Sequence, residues 1–325
     1  MKICIVGYGR WGKNLHNTLA GIIGKENVFV YDTKPLKKED DDKNLNTLSS
    51  LDEVANFDNI IISTPATTHF DLSKKFLEMG KNIFCEKPVS LSVSEVDELI
   101  EIASKHNNEF LVGHTFLFNN AIHYIKDEIK KNSFDIKLIS GRYTSYSTNV
   151  NDVDVLWDFG PHVVSISNFI AESKINSVGI LPLNYDSRGK LSACNINLEY
   201  ENGINSVFEL SWLSIDKKRE IDFIAESKMF RWNDLRPASP VEYITKIYPE
   251  QNISGPYEHF HTILNKTEIP PITQVAPLEN EMNYFINRIK NNNYEKNISG
   301  LKFSRNVIDT IEKLKEKEKE KEKEK

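Results

Sequence analysis

The chain has 325 residues, of which 39% are hydrophobic and 27% charged, with a net charge of −6. This fits a soluble globular protein long enough for two domains, and the lack of a basic stripe in any folded segment argues against a nucleic-acid partner. No apolar run approaches the ~20 residues needed to span a bilayer, which argues against a membrane protein.

The first apolar run, Lys2–Val6, reads as a strand and meets Gly7-Tyr8-Gly9-Arg10-Trp11-Gly12, a G-x-G-x-x-G loop that opens a helical pattern over Lys13–Ile23. A second strand, Val28–Tyr31, ends at Asp32. Strand, glycine loop, helix, strand and terminal acid in this order form the fingerprint of a dinucleotide site. Gly7 lets the chain turn off the strand, Gly9 lets backbone approach a pyrophosphate, and Gly12 lets the helix pack closely. The helix N-terminus offers unpaired N–H groups to the phosphates. Asp32 would accept hydrogen bonds from ribose hydroxyls and repel a 2′-phosphate, which favours NAD over NADP, although Lys34 softens the repulsion.

After the polar loop Thr33–Asn44 come a helical turn at Leu51–Ala55 and a fully apolar strand at Asn59–Ser63. Thr64 and Pro65 follow, at a strand end where ligands bind in open α/β sheets. A helix over Thr68–Met79 begins near His69, a lone histidine that also reads as structural. The strand Asn82–Cys85 leads into Glu86-Lys87-Pro88. A Lys held at a strand end by a following proline can donate to a substrate oxygen and favour a developing alkoxide. The same tripeptide also reads as a solvated turn. A helix over Ser94–His106, capped by Ser92 or Ser94, precedes the strand Phe110–Gly113 and His114. By position Glu86, His69 and His114 border the same cleft. Strands alternating with helices predict a parallel, doubly wound sheet.

Beyond Phe118 the pattern changes. A helix over Ala121–Lys131 precedes strand-like stretches at Ile136–Ser147, Ile175–Leu183, Ser192–Tyr200, Ser206–Leu213 and Arg219–Ala225, with a hairpin signal at Glu201-Asn202-Gly203. These predict a large, mainly antiparallel open sheet, interrupted by a helix at Asp158–Ile170 and closed by helices at Leu278–Asn291 and Leu301–Leu314. Asp158 and His162 lie four apart, so if Asp158 opens a helix both project from one face. A carboxylate there orients the imidazole as a general base. The alternative is a capping Asp beside a partly exposed His. Gly160-Pro161 inside that spacing suggests a special turn. The expected division is a dinucleotide-binding domain at 1–118, a substrate and oligomerisation domain at 119–314, and a Lys/Glu tail at 315–325 without chemistry. The tail is either a solvated extension of the last helix or disordered.

Cys4, Cys85 and Cys194 are scattered and suggest neither disulfides nor metal. His259 and His261 lack a third ligand, so no metal site is expected. With a strand starting at the N-terminus, no signal peptide is expected, which points to the cytoplasm. The open sheet has too few helices to cover both faces, a reason to expect a homodimer or homotetramer.

With these motifs in hand, the chain resembles the Gfo/Idh/MocA oxidoreductases. The resemblance rests on the glycine loop, Thr64-Pro65-x-x-x-His69, Glu86-Lys87-Pro88, Asp158-x-x-x-His162 and the late Pro277-Leu278-Glu279. It implies a Rossmann domain followed by an α/β domain whose open sheet serves oligomerisation. It also implies hydride transfer between a carbinol carbon of a sugar ring and NAD, with Lys87 binding the reacting hydroxyl, His162 as general acid/base and Asp158 holding substrate or histidine. Where many members carry an Arg-containing segment, this chain has His114-Thr115-Phe116-Leu117-Phe118-Asn119. That stretch and Val155-Leu156-Trp157-Asp158 look more like members of nucleotide-sugar pathways, such as UDP-N-acetylglucosamine 3-dehydrogenases. Alternatives are a dehydrogenase of a free cyclitol or aldose, or a non-catalytic NAD-sensing protein on the same fold.

Overall fold

The computed structural model describes residues 1–34, 45–106, 108–147, 152–247, 264–273, 275–291 and 297–323. His259, His261, most of the loop after Thr33 and the last two residues lie outside that set. In chain order the first elements are β1 (Ile3–Val6), α1 (Arg10–Ile23), β2 (Val28–Tyr31), β3 (Asn46–Thr47), α2 (Leu51–Val54), β4 (Asn59–Ile62), α3 (His69–Glu78), β5 (Asn82–Glu86), α4 (Val93–Lys105) and β6 (Phe110–Gly113). They are followed by α5 (Asn120–Lys131), β7 (Leu138–Thr144), α6 (Val155–Ala171), β8 (Ile175–Tyr185), β9 (Leu191–Tyr200), β10 (Asn205–Ser211) and β11 (Lys218–Ile224). The last are β12 (Lys228–Asn233), β13 (Val241–Ile247), β14 (Leu264–Glu268), α7 (Pro277–Asn291) and α8 (Leu301–Lys323).

The chain divides into two compact units that are discontinuous in sequence. Met1–Asn119, Asn149–Ile166 and Val275–Lys325 form the first, and Asn120–Thr148 with Ser167–Gln274 form the second. This differs from the linear division expected at 118/119. The segment carrying Asp158 and His162 belongs with the dinucleotide-binding unit, as do the last two helices. The reason is packing: α7 lies against α1 and the turn after β6, and α8 against α4 and β6.

In the first unit six parallel strands are ordered β3-β2-β1-β4-β5-β6. Every residue of β1 and β4 is buried, the unbroken apolar run that a parallel strand covered on both faces requires. The free edge of β6 is closed by the chain on its way into α8. Val112 N–H donates to Ser299 O at 2.8 Å and Asn297 Nδ2 donates to Phe110 O at 2.9 Å. Glu109, just before β6, accepts from Arg288 of α7 at 2.7 Å, with both side chains almost fully buried. The Lys/Glu tail continues α8 as helix to Lys323, and its start is not inert. Lys315 pairs with Asp154 at 2.7 Å and with the buried Glu318.

In the second unit eight strands are ordered β14-β13-β12-β11-β7-β10-β9-β8, antiparallel except for β7 with β10. The β9–β10 hairpin turns at Gly203, whose φ of +85° suits glycine. β12, β13 and β14 were not expected, because short strands of mixed polar and apolar residues resemble loop. One face of the sheet is buried. Tyr200 donates from there to Ser167 and Asn168 near the end of α6, at 2.7 and 2.8 Å. The other face carries Asn195, Val207 and Glu209, with Arg142 3.3 Å from Glu209 and Arg231 bidentate on Asp222 at 2.8 and 2.9 Å.

Arg288→Ala strands the buried Glu109 carboxylate and is expected to lower stability by about 3–5 kcal/mol in urea denaturation. Lys130→Ala, which removes an exposed partner of Glu172, should change it by less than about 1 kcal/mol.

Candidate active site

The carboxyl ends of β1, β4 and β5 bring the candidate residues together. Gly7, at the end of β1, has φ +96°, and a Cβ there would lie 2.6 Å from Ser63 O. A Cβ on Gly12 would collide with the Gly7 carbonyl oxygen, so this glycine permits close contact between helix and turn. Gly9 differs from both. It caps α1 with an ordinary φ of −70° and no side-chain hydrogen bond, and a Cβ there would meet nothing within 4 Å. The crest Gly9-Arg10-Trp11 is exposed while Gly7, Tyr8 and Gly12 are buried. Open space beside bare helix-terminal amides fits a dinucleotide pyrophosphate. Asp32 lies across this loop, accepting from Tyr8 N–H at 2.7 Å and from Lys34 N–H at 2.8 Å. Its remaining lone pairs suit ribose hydroxyls.

Lys87 projects from the turn after β5. Its Nζ donates to the Asp158 carbonyl at 2.8 Å and lies 3.3 Å from Asp158 Oδ1. The two side chains are 15% and 24% exposed, so the pair is screened but reachable. Asp158 does not open its helix. α6 starts at Val155, and Asp154 Oδ1 caps it by accepting from Leu156 and Trp157 N–H at 3.0 Å each. Asp158 and His162 still share a face, one turn apart within α6. The His162 ring packs edge-on against Phe116, with centroids 5.2 Å apart. Gly160-Pro161 makes no special turn. The helix runs through Pro161, and Gly160 leaves room for Ile311 of α8, whose Cδ1 would lie 2.6 Å from a Cβ.

Two histidines expected at the cleft are buried. His69 is 1% exposed, with Nδ1 2.7 Å from Pro88 O and Nε2 2.8 Å from Thr64 O. Burial lowers its pKa, so the neutral ring donates to one carbonyl at a time and ties the Thr64-Pro65 loop to the Lys87-Pro88 turn. His114 is 2% exposed, with Nε2 3.1 Å from Ser304 Oγ, and burial, then the Lys87 charge, push it down to about 3. It supports the end of β6 from within. Thr64 shares a hydrogen bond with Thr68 at 2.7 Å, and Pro65 is exposed beside it.

Sequence reasoning missed two links and one buried acid. Trp11 Nε1 donates to Glu86 Oε1 at 2.5 Å. Asp152 Oδ2 accepts from Ala66 N–H at 3.0 Å. Glu281, on the buried face of α7 among Met282, Phe285 and Ile286, is wholly enclosed. An acid within an apolar helical stripe was the available signal for Glu281. Among the described residues no cluster of three or more metal-ligating side chains occurs, and no helix is long and apolar enough to cross a membrane.

Residues 1–114 match the model of an oxidoreductase family with an NAD-binding Rossmann fold. The chain is similar to 2,7-anhydro-N-acetylneuraminate hydratase of Mediterraneibacter gnavus, 32% identical over 38% of this chain and 33% of that one. It is 30% identical to inositol 2-dehydrogenase of Rhizobium meliloti over 35% and 36% of the two chains. Similarity to UDP-N-acetylglucosamine 3-dehydrogenase of Acidithiobacillus ferrooxidans is 23% over 55% and 58%. A solved structure of that enzyme aligns with a TM-score of 0.81 at 16% identity, over 98% of this chain and 97% of that one, a likeness of fold. By sequence the match spans about a third of the length of the first curated relatives.

The glycines separate cofactor binding from folding. Gly9→Ala is expected to leave the melting temperature within about 2 °C and weaken NADH binding about tenfold or more by calorimetry. Gly7→Ala should instead destabilise the fold by about 1–3 kcal/mol.

Proposed function

We propose that this chain, a member of the Gfo/Idh/MocA oxidoreductase family through its NAD-binding domain, is a dehydrogenase that transfers hydride between a sugar carbinol carbon and NAD. The observation that carries this reading is the Lys87 ammonium held on Asp158, one helical turn before His162 and next to the end of β5. An ammonium and an imidazole on neighbouring segments are what alcohol oxidation asks of the protein. His162 takes the hydroxyl proton, and Lys87 stabilises the oxygen as charge develops there. Asp158 fixes the ammonium so that little reorganisation is needed when the substrate arrives. Bound NAD supplies the hydride acceptor.

The substrate we favour is a nucleotide-linked amino sugar oxidised to a 3-keto sugar, as the name of the Acidithiobacillus relative suggests. The inositol dehydrogenase relative supports a free cyclitol as the second reading. A cytoplasmic location accompanies either reading. We also propose that the ion-paired outer face of the eight-stranded sheet meets a second copy of the chain in a homodimer or homotetramer.

Purified protein given NAD and UDP-N-acetylglucosamine, with an aminotransferase present to draw off the ketone, should reduce the cofactor. Reduction with myo-inositol alone would select the second reading, and reduction with neither would remove both. In the active assay Lys87→Ala should lower kcat about 10²-fold or more while NADH affinity changes little, and unaltered turnover would refute the role given to Lys87. Light scattering should give the mass of a dimer or tetramer, and a sharp monomer peak would remove the oligomer.

A further inference from the structure

Two carboxyl groups beneath the glycine loop have no part in the mechanism above. Glu281 has no exposed surface. Its Oε2 accepts from the Thr115 hydroxyl at 2.8 Å, and its Oε1 has no hydrogen-bond partner among the described residues. Glu86 is also buried. Its Oε1 accepts the Trp11 indole N–H, and its Oε2 occupies the space beside Gly113, 2.8 Å from where a Cβ would stand. That gap exists only because residue 113 is glycine.

The charged and polar surroundings decide where a proton resides. Glu86 faces the Trp11 N–H from α1 and the backbone N–H and ammonium of Lys87 from its own turn, and its charge is felt by Glu281 of α7. Glu281 faces Thr115 from the turn after β6, and Glu86. His114 nearby is neutral, and the Lys87 ammonium is shared with Asp158. A buried charge without partners is expensive, and two neighbouring buried carboxylates do not both ionise. Glu86 has two N–H donors and a cation in its favour, whereas Glu281 has one hydroxyl. Burial pushes Glu86 up to about 7, and burial together with the Glu86 charge raises Glu281 well above the ordinary carboxylate range.

We propose that Glu281 is a permanently neutral acid within reach of the Glu86 charge, and that Glu86 in its ionised form pins the Trp11 indole beside the glycine loop, so that Trp11 is a cofactor-positioning residue whose anchor is switched by one proton. Trp11 stands two residues past Gly9 on the exposed crest. An ionised acceptor roughly doubles the strength of the indole hydrogen bond. The inference rests on the glycine loop holding the dinucleotide and not on the identity of the sugar.

The chain has four tryptophans. Trp157, Trp212 and Trp232 are buried and Trp11 is 41% exposed, so quenching by acrylamide reports on Trp11. Quenching should weaken as pH rises through about 7, as Glu86 ionises and holds the ring. Trp11→Phe should abolish the transition. Glu86→Gln should also abolish it, leaving Trp11 as accessible as at acid pH and raising the NADH Kd about fivefold to tenfold. Glu281→Gln, which mimics a neutral acid, should keep the midpoint within about 0.3 pH unit. A downward shift of about one unit or more would mean that Glu281 was ionised and would overturn the proposal. The infrared spectrum gives a second measure. At pH 8 a protonated carboxyl band should be present in the natural protein and missing in Glu281→Gln, and no such band in the natural protein would defeat the idea. Quenching in Glu86→Gln that matched the natural protein at every pH would defeat it equally. Wild-type NADH binding, measured alongside, separates failure of the anchor from failure of the cofactor site.

Discussion

The contact between the Lys87 ammonium and Asp158 organises the candidate site. Lys87 comes from the end of a parallel strand, and Asp158 from a helix that the chain reaches only after two further helices and two further strands, α4, β6, α5 and β7. One cation bonded to both the carbonyl and the carboxylate of Asp158 fixes where the turn after β5 meets α6. That meeting sets the approach of His162, one turn further along. Because both groups are mostly screened from water, the attraction is stronger than that of a surface pair. An ammonium already neutralised by a fixed partner still has a donor to offer a substrate oxygen.

The elements around this contact are held by polar groups buried for structural ends. His69 lies between the loop after β4 and the turn after β5, its ring nitrogens facing one backbone carbonyl of each and its single N–H donating to one of them. Asp154 caps α6 and pairs with Lys315 of α8. Arg288 and Glu109 fasten α7 to the base of β6. These groups are engaged by partners within the protein. His69 and Asp154 supply rigidity at the carboxyl ends of the strands, where the glycine loop, Thr64-Pro65 and Lys87 converge, and the Arg288–Glu109 pair holds the opposite end of β6. A site of this kind needs its reacting groups placed to within a fraction of an ångström, and buried ion pairs and capped helices provide that more reliably than exposed loops.

Much of the local structure was legible in the chain. Five of the six parallel strands announced themselves as apolar runs, and their helices as 3.6-residue periodicities, that of α3 stopped by Gly80, whereas β3, a two-residue strand of Asn46 and Thr47, was not expected. Strands β12 to β14 were not legible, because their alternation is interrupted by charge and their pairing partners are distant. The roles of single polar residues proved hardest to read. His69 and His114 stand at strand and helix ends where a ligand contact is plausible, and nothing local reveals that later helices or neighbouring turns bury them. Asp154 and Asp158 are both suitable caps, and only the positions of the Leu156 and Trp157 amides distinguish them.

The sequence by itself determined the dinucleotide-binding motif, the alternation that builds its sheet, and the identity of the lysine, aspartate and histidine at the candidate site. These depend on contacts within a few residues, such as a glycine turn, an acid after a strand, or two side chains one helical turn apart. Only the tertiary structure decided that the aspartate and histidine segment joins the first unit, that two histidines are enclosed, and that Glu86 and Glu281 are both buried, with Glu86 bonded to Trp11. Burial and protonation belong to groups brought together from distant parts of the chain, and the desolvation that sets them exists only once those parts have packed.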